Sequence, residues 1–371
     1  MGGIEAAAEF NLVWPFDESQ VNHCLRPGRC AVNQIDVTDS HCCVKLIEIP
    51  PEFPMSLTRL PQHAAQIPAS GRLNLDHVAH FVAERDAAAA ALDALGFTLT
   101  PFSEQSHRTE PGGPVLPAGT GNRCVMLREG YLEFLTPFAD TPIAAQLREA
   151  IARYTGVHLI AYGSADAQAD HDRLAAAGFS PLPLVRLQRE ADAPHGTTTV
   201  SFTVTRTPPG TMAEGRIQFC CHGTPEGVWQ PRWLSHANGA ASLRRVYLVV
   251  ADPVEAAARY SRYAGIAALP TGSQPGSQSE LQPGTQFVQR TARGLLHFID
   301  ADALQAGFGL QAPAVPWIGG YELGSDDLTA TRHFLAAAGS RCRSLADGRL
   351  LVILPSSLGG FIVFCDAVSP L

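Results

Sequence analysis

The feature that most constrains the fold is a strand followed by an alanine-rich helix that ends in glycine, which occurs four times after residue 72. Apolar runs that predict the strands are LNLDHVAHFV, GVHLIAYG, LRRVYLVV and IGGYELG. The helices that follow close with ALDALGF, RLAAAGF, RYSRYAGI and FLAAAGS, whose glycines are Gly96, Gly178, Gly265 and Gly339. Glycine directly after a helix is the usual left-handed C-cap, so each run predicts a helix end.

The spacing within the four units is nearly constant. One strand position precedes the glycine by 19, 20, 20 and 20 residues, and its occupants are His77, His158, Arg245 and Gly319. Each unit then ends in two β-rich runs around a turn, such as NRCVML-REG-YLEFL, and the middle residues of the closing runs are Glu133, Gln218, His297 and Val363. Each unit therefore predicts the order β-α-β-β-β, and a repeat of this kind constrains the whole fold.

Composition excludes several classes of protein. With 371 residues the chain can form two domains, and its net charge of −8 argues against nucleic acid and anionic membranes as partners. No apolar run reaches the ~20 residues of a membrane helix, and the N-terminus lacks the basic start of a secretory signal, so we expect a cytoplasmic location. The nine cysteines include no CxxC pair and predict no disulfide framework.

The first part of the chain has neither helical nor strand periodicity. Residues 1–54 end in IPPEFP, and Met55 opens a second plausible start. We expect residues 1–72 to form a mostly disordered N-terminal extension.

The doubled βαβββ unit resembles the vicinal-oxygen-chelate superfamily, which includes glyoxalase I, extradiol dioxygenases and antibiotic-binding resistance proteins. The runs LDHVAHFV, GTGNR, YLEF and HANGAASL are most similar to its glyoxalase-like domains. The resemblance implies an α+β fold in which four tandem modules form two half-open eight-stranded barrels, of the glyoxalase/dihydroxybiphenyl-dioxygenase type. The first barrel would span residues 73–240, and a degenerate second pair of modules would span 241–371.

The resemblance also implies a metal site, because the superfamily takes its ligands from the first and fourth strands of paired modules. Carried over by position, the ligands are His77, Glu133 and His158, with Gln218 as a weak fourth ligand, and His222 is held in reserve. Two imidazoles and a carboxylate suit one divalent ion of Zn, Ni, Co, Mn or Fe. A carboxylate within the apolar run YLEFL, if buried, also favours a nearby cation.

Strand alternation assigns the neighbouring side chains to faces. It predicts that His77 shares a face with Leu75 and Ala79, whereas His80 points to the other face and is structural. The side chains that we expect to contact the substrate are Asn122, Arg123, Tyr131 and His236. The corresponding positions of the last two units cannot hold a metal, so that pair is expected to be a non-catalytic partner domain or a dimerisation surface, which makes a homodimer possible.

The leading functional hypothesis is a metal-dependent lyase or isomerase of glyoxalase type, acting on a small molecule with vicinal oxygens. Glu133 would be its catalytic base. Two alternatives stay open from the sequence. The same two histidines and carboxylate match the facial triad of an Fe(II) extradiol-type dioxygenase, and the cup could instead sequester a small ligand without any metal.

Overall fold

The computed structural model describes residues 64–107, 113–194, 196–272 and 286–369. Within them, seven helices accompany sixteen strands in one mixed α+β arrangement. In the first half of the chain the elements are β1 (Asn74–Phe81), α1 (Arg85–Ala94), β2 (Ser103–His107), β3 (Leu116–Met126), β4 (Tyr131–Pro137), α2 (Pro142–Arg153), β5 (Gly156–Gly163), α3 (Ala167–Ala176), β6 (Val185–Ala193), β7 (Gly196–Arg206), β8 (Arg216–His222) and α4 (Pro225–Val228). In the second half they are β9 (Ala240–Val249), α5 (Pro253–Ala264), β10 (Ala268–Pro270), β11 (Gln286–Arg290), β12 (Leu295–Ile299), α6 (Ala301–Phe308), β13 (Trp317–Ser325), α7 (Leu328–Ala337), β14 (Cys342–Ser344), β15 (Leu350–Ile353) and β16 (Phe361–Asp366).

The helices begin and end where their sequences indicate. The side chains of Asp166, Asp252 and Asp327 each accept hydrogen bonds from two backbone N–H groups at the starts of α3, α5 and α7. The four glycines predicted to follow helices all have positive φ, between 67° and 82°. The order strand, helix, three strands therefore occurs four times, as the helix ends predicted.

All sixteen strands belong to one hydrogen-bonded sheet with two branches. In the first half the strand order is β2-β3-β4-β1-β5-β8-β7-β6, with β1 and β5 antiparallel at its centre. In the second half the order is β10-β11-β12-β9-β13-β16-β15-β14, with β9 and β13 at its centre. One antiparallel pair, Ile318 with Val157, joins the two halves of the sheet.

The central strand pairs are interrupted by register irregularities at corresponding places. In β1 and β5 the residues left out of the pairing are Asp76 and His158. In β9 and β13 the corresponding residues are Arg244 and Gly319, and a third shift near the end of the pair leaves out Ala241. An extra residue of this kind bends the strand and changes the direction of the side chains around it. The first strand of each of the four units has such an extra residue at the corresponding position.

Because of these irregularities, the alignment of the units predicted from the sequence is off by one residue in the second and fourth units. His77 pairs with Tyr131 and Ala161, while Leu159 pairs with Arg216 and Ala79. Leu159, not His158, thus occupies in β5 the place that His77 occupies in β1. By the same pairing, Gly320 and not Gly319 corresponds in β13 to Arg245 in β9.

The prediction that Leu75 shares a face of the strand with His77 was wrong, because the irregularity at Asp76 lies between them. Leu75 packs in the main apolar core with Val78 and Val82, and its side chain lies where a Cβ on Gly294 would sit. Ala79 belongs to a separate cluster on the opposite face of β1. The irregularity at Asp76 puts Leu75 out of phase with His77, since strict alternation ends at an extra residue.

The predicted N-terminal extension lies outside the described segments up to residue 63. Beyond it, Gln66 is buried, where it donates to the carbonyl of Arg128 (2.6 Å) and accepts from the backbone N–H of Gly130 (3.1 Å). No helix within the described segments has the length and apolarity that crossing a membrane would require.

Candidate active site

A cavity of about 790 Å³ is enclosed by the strands of the first half of the sheet. Apolar and aromatic side chains, among them Phe102, Phe202 and Trp233, form much of its wall. Six of the residues predicted from the sequence also line it, namely His77, Asn122, Tyr131, Glu133, His158 and Gln218. A large concave site with a few polar groups is the usual form of a small-molecule site.

His77 is fixed by the residue that precedes it. Its Nδ1 lies 2.7 Å from Oδ2 of Asp76, and its ring stacks on Tyr131 with centroids 4.3 Å apart. Because a carboxylate only accepts, Nδ1 carries the proton and the lone pair is on Nε2. Nε2 has no hydrogen-bond partner among the described residues. A carboxylate behind an imidazole is the usual support for a histidine that binds a metal or moves a proton.

Asp76 is shared with a second histidine. His222 Nε2 lies 3.0 Å from the same Oδ2, and Cys220 Sγ lies 3.7 Å from that nitrogen. In the described part of the chain, Asp76, Cys220 and His222 are the one group of three such residues whose donor atoms all lie within 4.8 Å of each other. Burial opposes ionisation of Asp76, but the two histidines outweigh it and hold its pKa well below the usual range. Asp76 was missed by the sequence analysis, because alternation placed it on the opposite face from His77.

Glu133 projects from β4 and is 8% exposed. Its Oε1 accepts a short hydrogen bond of 2.5 Å from Nδ2 of Asn122 on β3. No arginine, lysine or histidine in the described segments forms an ion pair with it. Its charge acts at longer range on Arg216, whose pKa it raises against the effect of burial. A buried carboxylate without an ion-pair partner is costly unless a cation or a charged ligand joins it.

His158 lines the cavity at a different level of the sheet. It lies three residues along β5 from Ala161, the partner of His77, which corresponds to about 10 Å of strand. Its Nε2 donates to the carbonyl of Tyr154 (2.8 Å), and its ring stacks between Tyr154 and Phe81. Burial lowers the pKa of His158 to about 4, so it is neutral with its lone pair on Nδ1.

The donor set fits a divalent metal in part. His77, Glu133 and Gln218 hold three of the four corresponding positions at the centre of the first half, and Leu159, which cannot bind a metal, holds the fourth. The donor atoms of His77, Glu133 and His158 do not form a group within 4.8 Å. The uncompensated carboxylate of Glu133 and the open Nε2 of His77 are the features that suit an ion.

Two residues expected to contact substrate lie away from the cavity. Arg123 alternates with Asn122 and Cys124 on β3 and faces α1, where its charge helps to lower the pKa of Asp86. His236 uses both ring nitrogens to hold loops together, since Nδ1 accepts from the N–H of Thr98 (3.0 Å) and Nε2 donates to Met126 (2.9 Å). Neither position supports a substrate contact.

His80 has a structural role, as strand alternation predicted, because both ring nitrogens bond to other parts of the chain. Its Nδ1 donates to the carbonyl of Leu358 (2.9 Å) and its Nε2 accepts from the hydroxyl of Tyr321 (3.1 Å). Burial lowers its pKa to about 4, which keeps the imidazole neutral.

Four arginines that the sequence analysis did not single out also line the cavity, namely Arg153, Arg189, Arg206 and Arg216. Arg206 is the last residue of β7 and Arg216 is the first of β8. Arg206 pairs with Gln218, and Arg216 lies two residues from Gln218 on the same face of β8. The two-residue spacing of Arg216 and Gln218 was a signal available in the run EGRIQFCC.

The corresponding region of the second half is filled by charged side chains. Glu322 is buried and accepts from Arg349 (2.7 Å) and from the hydroxyl of Tyr247 (3.2 Å), and Arg245 Nε lies 3.6 Å from it. His297 bonds to Gln286 (3.1 Å). Arg245 is itself buried, so this network of ion pairs occupies the centre of the second half.

Comparison with known proteins agrees with this architecture. Among solved structures, the chain is similar to a hypothetical protein from Staphylococcus aureus (10% identity, TM-score 0.50, covering 79% of this chain and 99% of that one). It is also similar to a mutant of 4-hydroxymandelate synthase from Streptomyces coelicolor (14% identity, TM-score 0.50, covering 81% and 94%). At such identities the likeness shows the fold alone. No curated protein matches the sequence. The family model described as glyoxalase-like domain matches residues 75–264, just over half of the chain, so the protein belongs to the glyoxalase-like domain family.

Proposed function

We propose that the protein is a metal-dependent lyase or isomerase of glyoxalase type, acting on a small substrate with vicinal oxygens. The observation that carries the proposal is the Glu133 carboxylate, which is buried in the cavity wall with only Asn122 as partner. A cation bound beside it would compensate its charge. The four strand-helix units would be tandem modules, paired as half-open barrels at 73–240 and 241–371.

His77, Glu133 and Gln218 are the proposed ligands, and His158 is the weakest member of the set predicted from the sequence. A metal held there would supply Lewis-acid stabilisation of charge that develops on a substrate oxygen. Asp76 would keep the His77 lone pair directed into the cavity. His158 would instead bound the substrate space through its stacked ring.

Glu133 is the proposed base. Its second oxygen is available for a substrate proton, because the hydrogen bond from Asn122 occupies Oε1. Proton transfer by a positioned carboxylate contributes typically about 10²–10⁴-fold to a rate. Asn122 would act by holding the carboxylate in one orientation.

The test is metal content and affinity. Protein purified anaerobically without chelator should contain one equivalent of Ni, Co, Mn or Zn by elemental analysis, and titration of the stripped protein with Mn²⁺ should restore it. Glu133→Gln should weaken Mn²⁺ binding about tenfold or more. Glu149→Gln is the matched control, because Glu149 borders the same cavity on α2 but is exposed.

Other outcomes identify the alternatives. Stoichiometric iron with oxygen uptake on catechols would support the Fe(II) dioxygenase. A folded protein that neither contains nor binds metal would contradict the proposal and leave the ligand-sequestering protein. Retention of Mn²⁺ in His158→Ala is expected, and its loss would return His158 to the ligand set.

A further inference from the structure

We infer that the substrate of this cavity carries a carboxylate, which Arg206 and Arg216 bind. The inference rests on the proposed function for the identity of the reacting end, but the arginine site is defined by its own residues. It therefore adds a charge requirement to the proposed substrate.

Both arginines border the cavity without an acidic partner. Neither forms an ion pair with a carboxylate in the described segments, and the Nε of Arg206 is buried without any hydrogen-bond partner there. Arginines that line a protein cavity are normally paired with acids, because an unpaired buried charge is costly. Two guanidinium groups on neighbouring strands that line one cavity, and that form no ion pair in the described segments, indicate an anionic ligand.

The two side chains also act on each other. Arg206 on β7 is paired with Gln218, and Arg216 lies two residues away on the same face of β8. Burial lowers the pKa of both groups, and the charge of Arg206 lowers that of Arg216 further. An anion between them would relieve burial and repulsion together, whereas a neutral ligand would relieve neither.

The chemistry of the ligand follows from the guanidinium groups and their surroundings. The planar N–H fork of arginine matches a carboxylate with two parallel hydrogen bonds. The Arg216 guanidinium lies 6.0 Å from the centre of the Phe81 ring, and Phe202 and Leu187 also border the cavity. The combination suits an apolar body that ends in a carboxylate.

The arginines lie beside the proposed metal site. Arg206 is paired with Gln218, and the charge of Glu133 acts on Arg216, whose pKa it raises against the effect of burial. A carboxylate held at the arginines would therefore place the rest of a small substrate close to the proposed metal ligands. The arginines would position the substrate and select for its charge.

Benzoate and benzamide are suitable probes because they share a ring and differ in charge. Their binding to the metal-stripped protein can be followed by calorimetry, so that a metal cannot supply the selectivity. We expect benzoate to bind at least about tenfold more tightly than benzamide, as a charge-assisted hydrogen bond requires. Arg206→Gln with Arg216→Gln should abolish this preference, and the paired lysine variants should retain part of it.

Arg148→Gln is the control, because it removes the same charge from an exposed position on α2 outside the cavity. Thermal melting establishes that the variants are folded. Equal binding of both probes, no binding of either, or a preference that survives in the double glutamine variant would overturn the inference. Mn²⁺ titration of the same proteins separates the two proposals: arginine-dependent preference without metal binding would leave the carboxylate site standing and remove the metal-dependent function.

Discussion

The carboxylate of Asp76 accepts hydrogen bonds from two histidines on different strands, His77 on β1 and His222 on β8. It is fully buried, and its Oδ1 has no partner among the described residues. One acceptor atom thus links side chains of these two strands, and the orientation of the His77 imidazole depends on it. Asp76 is therefore a positioning residue for the site.

Asp76→Asn should destabilise the protein by about 2–3 kcal/mol, because one amide cannot accept from both histidines without presenting its own N–H to one of them. The folded-state pKa of Asp76 is lowered. Its contribution is therefore present above the unfolded pKa of about 3.9 and is lost as the pH falls through the folded value. Urea unfolding of both proteins between about pH 3 and pH 7 measures the difference, which should shrink only at the acidic end.

Asp86→Asn controls for removal of an acidic charge, since Asp86 is exposed and contacts only the neighbouring Arg85. It should leave the free energy of unfolding essentially unchanged, because an exposed ion pair contributes little. If the Asp76→Asn protein is as stable as the wild type at pH 7, the hydrogen bonds from the two histidines make no net contribution to the free energy of unfolding.

At the scale of elements, the sequence predicted the helix ends and the order of helices and strands along the chain. It did not predict the register in which the strands pair. The glycine and alanine patterns that mark α1, α3, α5 and α7 are local, and each of those helices ends as they indicate. The residues left out of pairing, Asp76 and His158, depend on how two distant strands meet. No local pattern reports that, because an apolar strand with one extra residue reads like one without it.

The interval between the first strand and the glycine that follows the helix contained a further indication of how the strands pair. The interval from strand to glycine is 19 residues for His77, and Leu159 and Gly320 also precede their glycines by 19. Arg245 precedes Gly265 by 20, because α5 has twelve residues and α1 has ten. Choosing the nearest histidine, His158, favoured the chemistry of the side chain over the constancy of the interval.

The corrected register predicts a gain of function. Leu159 borders the cavity at the position that corresponds to His77, so Leu159→His should add an imidazole to His77, Glu133 and Gln218. Mn²⁺ or Zn²⁺ affinity should rise by about tenfold, comparable with the contribution of a supporting metal-site residue. Calorimetric titration of the variant measures the change.

His158 provides the matched comparison for this element. Because His158 is out of register and bonded to Tyr154, His158→Leu should leave affinity within about twofold of the wild type, a difference of about 0.4 kcal/mol. Tighter binding in Leu159→His and unchanged binding in His158→Leu would support the register. The opposite pair of results would favour the original alignment of His158 with His77.

At the scale of the whole molecule, the two halves of the sheet surround a central buried glutamate in different ways. In the described part of the first half, Glu133 forms no ion pair and borders a cavity. The second half encloses Glu322 with Arg349, Arg245 and Tyr247. Uncompensated polar groups are characteristic of functional sites, which retain them at a cost in stability. The contrast supports the proposal that the reaction takes place in the first half.

This division predicts opposite effects of one substitution at two buried glutamates. In protein stripped of metal, Glu133→Gln should raise the free energy of unfolding by about 1 kcal/mol, because it removes an unpaired buried charge and keeps an acceptor for Asn122. Glu322→Gln should lower it by about 3 kcal/mol, because Arg245 and Arg349 lose the buried carboxylate between them. Urea unfolding in the presence of chelator compares the two variants directly. Destabilisation of similar size in both would mean that Glu133 is already compensated in the folded chain, and the case for a cation beside it would fail.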